Sequence, residues 1–171
     1  ISYLYFPLAS EAGLKSAVTP NLGGDAKIDQ ETFLLEPVSS ESLHNNRSTR
    51  NFWFIKNNAG AYSAAGSSAE QENARFSAVQ DESELTAGFM WQTLKRSSKI
   101  HKLATTVTSF IPEADNVEIM SVTVENQSEV TQELTACAAL PIYGRSADNI
   151  RDHRNVTSML HRIDTDEKGV F

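Results

Sequence analysis

The sequence predicts an all-β fold, an antiparallel sandwich or barrel with long N-terminal loops, and three observations predict it. From about residue 84 onward, β-branched runs alternate with the period of two that a half-buried strand requires. Turn residues interrupt these runs at the short, regular spacing of a strand meander. The first fifty residues are instead rich in Gly, Pro, Ser and Asn, with "TFLL" as their compact apolar anchor, and read as loops laid over a scaffold.

Taken in order, "TPNLGGDAKIDQETFLLEPVSSESLHNNRSTR" (19–50) carries the loop character, and its Gly23-Gly24 pair reads as a flexible turn. "NFWFIKNNAGAYSAAG" (51–66) predicts a strand over 51–56, a turn over 57–60 and a return strand over 61–64. Phe52 and Phe54 alternate with Trp53 and Ile55, so both faces are apolar and a buried central strand is expected. "SELTAGFMWQTLKRSSKIHKLATT" (83–106) reads as a hairpin turning at Arg96 to Lys99, with Trp91 in the core. "KLATTVTSFIP" (102–112) places Leu103, Thr105, Val107 and Ser109 on one face, and Pro112 closes it. "VEIMSVTVENQS" (117–128) is the next strand, and "TQELTACAALPIYG" (131–144) is expected to pair with it across the intervening turn. No internal repeat is evident.

The 171 residues, 40% apolar and 22% charged, suffice for one domain with its own core and exclude disordered and fibrous classes. No apolar run approaches the roughly 20 residues a membrane helix needs. A net charge of -7 disfavours nucleic-acid binding, which draws on lysine and arginine to neutralise phosphates. The N-terminus shows no signal-peptide pattern, and a single cysteine, Cys137, reads as a buried apolar residue of a cytoplasmic protein. Three glycosylation sequons, at Asn46, Asn126 and Asn155, would then go unused.

One segment stands out chemically. "YGRSADNIRDHRN" (143–155) gathers Arg145, Asp148, Arg151, Asp152, His153 and Arg154 directly after the apolar run "LTACAALPI". Guanidinium forks suit carboxylates, phosphates and paired sugar hydroxyls, and aspartate accepts from such hydroxyls, so the segment reads either as a polar binding rim or as a salt-bridged crossover. "DTDEKG" (164–169) begins like a calcium loop, but Lys168 falls where an oxygen ligand is needed and a hairpin turn is preferred. His44, His101, His153 and His161 lack metal-ligand spacing, so no metal site is expected. No nucleophile elbow or phosphate loop occurs, and no catalytic set is legible.

The order of four blocks, "SEAGLKSAVT" (10–19), "NFWFIKNNAGAYSAAG" (51–66), "TTVTSFIPEADNVEIMSVTVENQSEVTQELT" (105–135) and "YGRSADNIRDHRNVTS" (143–158), resembles the N-terminal β-sandwich domain of inverting β-glucoside phosphorylases of glycoside hydrolase family 94. That group includes cellobiose, laminaribiose and chitobiose phosphorylases. The resemblance implies a galactose-mutarotase-like supersandwich over 1–171, forming the N-terminal part of a larger enzyme whose (α/α)6 barrel would lie downstream of Phe171. It implies cleavage of a β-linked disaccharide or gluco-oligosaccharide by inorganic phosphate as co-substrate, without a cofactor. Phosphate is already an anionic nucleophile, so one acid suffices where an inverting hydrolase needs two carboxylates. That acid is an aspartate of the barrel, which leaves no catalytic residue here.

By the same likeness Arg154, preceded by His153 and Asp152, contacts the acceptor sugar; Arg145, Asp148 and Arg151 are expected beside it from the chemistry of the segment. The "SEAGLKS" loop, through Glu11, Leu14 and Lys15, would roof the active site of a neighbouring subunit in a homodimer. The alternatives from other classes are a stand-alone carbohydrate-binding module, a purely structural β-sandwich, and a module of a cyclic β-glucan synthase.

Overall fold

In a computed structural model the protein is an all-β sandwich of antiparallel sheets with one short helix among the described residues. The structure describes residues 4–38, 47–57, 60–146, 162, 164–167 and 169–170. Among these, no helix is long and apolar enough to cross a membrane.

One layer is a four-stranded meander of β7 (Glu82–Gly88), β8 (Trp91–Ser98), β9 (Leu103–Phe110) and β10 (Ile119–Asn126), in the order β10-β9-β8-β7. The alternation expected of 102–112 is realised residue by residue: Leu103, Thr105, Val107 and Ser109 are buried, and their neighbours are half-buried. Register places Leu94 of β8 and Val122 of β10 on either side of Val107, which continues one apolar face across the sheet. The hairpin read over 83–106 is in fact two. Its first turn is Phe89-Met90, where Met90 takes a positive φ of 60°, and residues 96–98 lie inside β8.

The facing layer holds two sheets. β5 (Asn51–Lys56) and β6 (Ala61–Ser63) form the predicted hairpin, and β11 (Leu134–Ala139) joins β5 rather than β10, with Cys137 opposite Trp53. This corrects the expected pairing of 131–144 with 117–128: a period-two pattern identifies a strand but not its partner. It also corrects the burial of Cys137, which is exposed. β5 is central in its sheet, yet Phe54 is buried while Ile55 is exposed, so only one of its faces is covered.

The N-terminal segment is not merely loop. It forms a small sheet of β1 (Phe6–Ala9), β2 (Lys15–Val18), β3 (Ala26–Lys27) and β4 (Phe33–Leu35). Leu8 and Val18 from this sheet and Leu14 and Leu22 from its turns meet Leu94 and Val107 of the meander and Ile111 just beyond β9 in one buried cluster, against which Phe52 packs. A second cluster joins Phe54 and Tyr62 to Leu103. The two clusters bind both smaller sheets to the meander, with burial of each large apolar side chain contributing about 1.5–3 kcal/mol.

Helix α1 (Ala69–Asn73) follows β6. Ser68 caps its N-terminus through a reciprocal capping box with Gln71. Near the C-terminus β12 (Thr165–Asp166) pairs with β13 (Gly169–Val170), so "DTDEKG" is the preferred hairpin.

Candidate functional site

The chain leaves β11 and runs back along the edge of β4. The Tyr143 amide donates to the Leu34 carbonyl at 2.7 Å, and the Phe33 amide donates to the Arg145 carbonyl at 3.0 Å. Tyr143 is buried and its hydroxyl donates to the Ser146 carbonyl at 3.0 Å, while Gly144 turns the chain at a positive φ of 65°. Arg145 is therefore launched, half-buried, from a fixed point on the rim of the N-terminal sheet. The other expected sugar contacts, Asp148, Arg151, Asp152, His153 and Arg154, lie outside the described residues.

The "SEAGLKS" loop joins β1 to β2. Asn116, from the turn before β10, accepts the Leu14 amide at 2.8 Å and the Ser10 hydroxyl at 3.2 Å, and the Glu11 amide donates to the Glu113 carbonyl at 2.7 Å. Glu11 and Lys15 are exposed. Lys15 turns its ammonium onto the Ile28 carbonyl at 2.8 Å. Leu14, grouped with them as a residue facing a neighbouring subunit, is instead 6% exposed within the core cluster. An apolar side chain at the base of a short turn gains more from the core beneath it than from solvent.

Behind this loop stands Arg50, fully buried, which the sequence reading assigned to a loop. Its Nε and Nη2 hold both oxygens of Glu118 at 2.6 and 2.9 Å. Nη1 donates to the Gly23 carbonyl at 3.0 Å, and Nη2 donates to Ser16 Oγ at 2.7 Å and to the Asp25 carbonyl at 3.1 Å. Gly23-Gly24 is thus no mere flexible turn. At Gly24 φ is +101°, and an added Cβ would fall 1.7 Å from the Ala17 carbonyl oxygen, so the backbone approach that supplies Arg50 with acceptors admits glycine alone.

A second polar group lies between α1 and the meander. It borders an open cleft of about 700 Å³ whose described walls come from residues 47–51, 65–75, 80–83 and Arg96, together with Asn21. Gln71 is locked beneath it: its Oε1 accepts the Ser63 amide at 2.9 Å, and its Nε2 donates to the Ser63 carbonyl at 3.0 Å and to Asp81 Oδ2 at 2.6 Å. Arg96 donates from Nε to the Ala64 carbonyl at 3.2 Å and stands with Nη1 3.7 Å from the same Asp81 oxygen. It passes over Gly66, where a Cβ would come 2.6 Å from the guanidinium carbon.

Nearby, Tyr62 is pushed up to about 12 by burial, and its hydroxyl donates to the Arg96 carbonyl at 3.1 Å. His101 is held below its ordinary value by burial, against the opposing pull of Glu70 on α1, whose carboxylate lies 3.1 Å from His101 Nε2. That contact has ion-pair distance without hydrogen-bond alignment.

Sequence reasoning found neither Arg50 nor the Asp81–Arg96 group. The partners are far apart in the chain, and only the capping signature of Ser68 and Gln71 was open to reading. Trp91, expected in the core, is 39% exposed beside Phe89 at 87%. Among the described residues no three His, Cys, Asp or Glu side chains gather as a metal ion would require.

In comparison with known proteins, the family described as glycosyl hydrolase 94, supersandwich domain, matches residues 73–170, more than half of the chain. The match covers α1 in part, the whole meander, β11 and the run containing Arg145 to Arg154; Glu11, Leu14 and Lys15 precede it. No curated protein matches.

Proposed function

Because the chain belongs to the glycosyl hydrolase 94 family, of which it carries the supersandwich domain, we propose that it is the substrate-gating and dimerisation domain of an inverting phosphorylase acting on β-glucosides. The observation that carries the reading is the run of the family match through "YGRSADNIRDHRN", the segment in which the resemblance puts the sugar-contacting arginine.

In this reading the sandwich brings no reacting group. A phosphate oxygen bonds to the anomeric carbon from the face opposite the leaving oxygen, the glycosidic C–O bond breaks, and a barrel aspartate gives that oxygen its proton. α-Glucose 1-phosphate and a free sugar result. Arg154, with Asp152 and His153, grips hydroxyls of the sugar on the far side of the bond. Arg145, anchored at β4, fixes where that segment begins. The loop of Glu11 and Lys15 lies against the partner subunit's site.

The test is phosphorolysis of cellobiose, laminaribiose and chitobiose by the full-length gene product, with the released α-sugar 1-phosphate as the readout: α-glucose 1-phosphate from the first two and the 1-phosphate of the amino sugar from chitobiose. Arg154→Ala is expected to raise the acceptor KM in the synthetic direction about tenfold or more, the effect of losing one charge-assisted hydrogen bond to a sugar. Unchanged acceptor kinetics would remove Arg154 from the site. Absence of phosphorolysis on all three would return the assignment to a stand-alone carbohydrate-binding sandwich, a reading that the exposed Phe89 and Trp91 at the tip of the β7–β8 hairpin favour.

A further inference from the structure

We infer that the cleft between α1 and the meander is a second saccharide-binding site, separate from the rim that carries Arg145. It does not rest on the reading just given, because none of its described lining residues is among the expected sugar contacts.

The lining dictates the class of ligand. Apart from Ala65 and Gly66, every described residue of the wall is polar or charged, and none is aromatic, which excludes apolar ligands and ligands held by stacking. Arg47, Arg75 and Arg96 supply forked donors while Glu72 and Asp81 supply acceptors, so the wall is near charge balance and is not an anion trap. A neutral polyhydroxyl compound meets both needs, because each hydroxyl donates one hydrogen bond and accepts others.

The feature that decides the matter is at the floor. The Asp81 side chain is only 5% exposed, and its Oδ1 has no hydrogen-bond partner among the described residues, although Oδ2 is firmly held by Gln71. A buried carboxylate oxygen left without a donor is costly, and the structure fixes this one instead of turning it to solvent. Arg96 lines the cleft beside Asp81 with its head 3.7 Å from Oδ2, outside hydrogen-bond range and 16% exposed. In this proposal a ligand hydroxyl donates to Oδ1, and the Arg96 guanidinium, not yet bonded to the carboxylate, donates to the neighbouring hydroxyl. An anion would bring a second negative charge to the same oxygen, and that repulsion selects for a neutral sugar.

The experiment is amide-detected NMR titration of the 171-residue chain with cellobiose and, separately, with inorganic phosphate. Cellobiose is expected to shift the Ser67, Gln71, Asp81 and Ser83 amides saturably, and phosphate is not. Asp81→Asn keeps the shape and the bond to Gln71 but presents an N–H where Oδ1 accepts, so it should weaken cellobiose binding at least about tenfold. Should that variant fail to fold, Arg75→Gln, at an exposed side chain, must still weaken binding. Arg154→Ala must leave these shifts intact, which keeps this site distinguishable from the rim.

Shifts with phosphate alone, no saturable response to cellobiose, or wild-type affinity in the folded Asp81 variant would each overturn the inference. None of those results would bear on phosphorolysis by the full-length product.

Discussion

Arg50 and Arg96 both reach toward a carboxylate, the first between sheets and the second along the edge of the meander, and the two are held in opposite ways. Around Arg50 all three guanidinium nitrogens are bonded, both oxygens of Glu118 are engaged, and nothing of the arginine reaches solvent. Around Arg96 one nitrogen bonds to a carbonyl, the carboxylate is just out of range, and one oxygen of Asp81 has no donor among the described residues. The difference teaches how to tell a fastening from a site. A buried charge that serves the fold is satisfied by the fold itself, whereas one satisfied in part beside an open cleft has room for groups the fold does not supply.

The largest expected effect breaks the fastening. Arg50→Met leaves the Glu118 carboxylate and the carbonyls of Gly23 and Asp25 without their shared donor, and removing one partner of a buried pair costs about 3–5 kcal/mol. Urea unfolding should show a loss of that order. Glu118→Gln added to Arg50→Met should recover part of it, because the uncompensated charge is then gone. A loss no larger than that of a surface substitution would mean the cluster is not what joins the N-terminal sheet to β10.

How much of this was open to the sequence depends on distance along the chain. The β5–β6 hairpin and the face of β9 were legible because alternation and turn residues are local. The pairing of β11 with β5 was not, since the two strands lie some eighty positions apart and nothing in "LTACAAL" distinguishes β5 from β10 as a neighbour. β1 to β4 escaped because strands of two to four residues are too short to show a period. The Phe89-Met90 turn escaped because neither residue announces a positive φ.

Of the site, the blocks 105–135 and 143–158 lie within the family match, while 10–19 and 51–66 precede it. Their likeness also drew Leu14 outward, when an isolated leucine at the foot of a turn belongs to the core. The clamp of Arg50 and the open oxygen of Asp81 are tertiary facts: Ser16, Arg50 and Glu118 meet only once three sheets are in place.

A middle-sized effect separates the two regions by pH. His101 packs against Tyr62, with ring centroids 5.5 Å apart, and faces Glu70 on α1, Lys56 and, more distantly, Asp81. Burial lowers its pKa, so the folded state prefers the neutral ring. Its contribution to stability is complete above the unfolded value of about 6.5 and is lost as pH falls through the lower folded value. Melting temperature should decline on acidification below neutral, and His101→Gln should flatten that decline. The Arg50 variant should retain the slope, because His101 touches α1 and β6 and not the clamp. A slope unchanged in His101→Gln would assign the acid sensitivity to other groups.

The smallest effect comes from a residue that belongs to neither region. Cys137 sits in β11 with its side chain exposed, opposite Trp53, and its Sγ approaches the Ala138 carbonyl at 3.9 Å. Cys137→Ser exchanges one small exposed group for another, and the change in stability should stay within about 0.5 kcal/mol. The same exposure makes the thiol accessible to an aromatic disulfide reagent in the folded protein, at a rate close to that in denaturant. Protection from the reagent would mean that the outer face of β11 is covered, and the comparison between clamp and cleft would then have to be redrawn with a third packed surface in it.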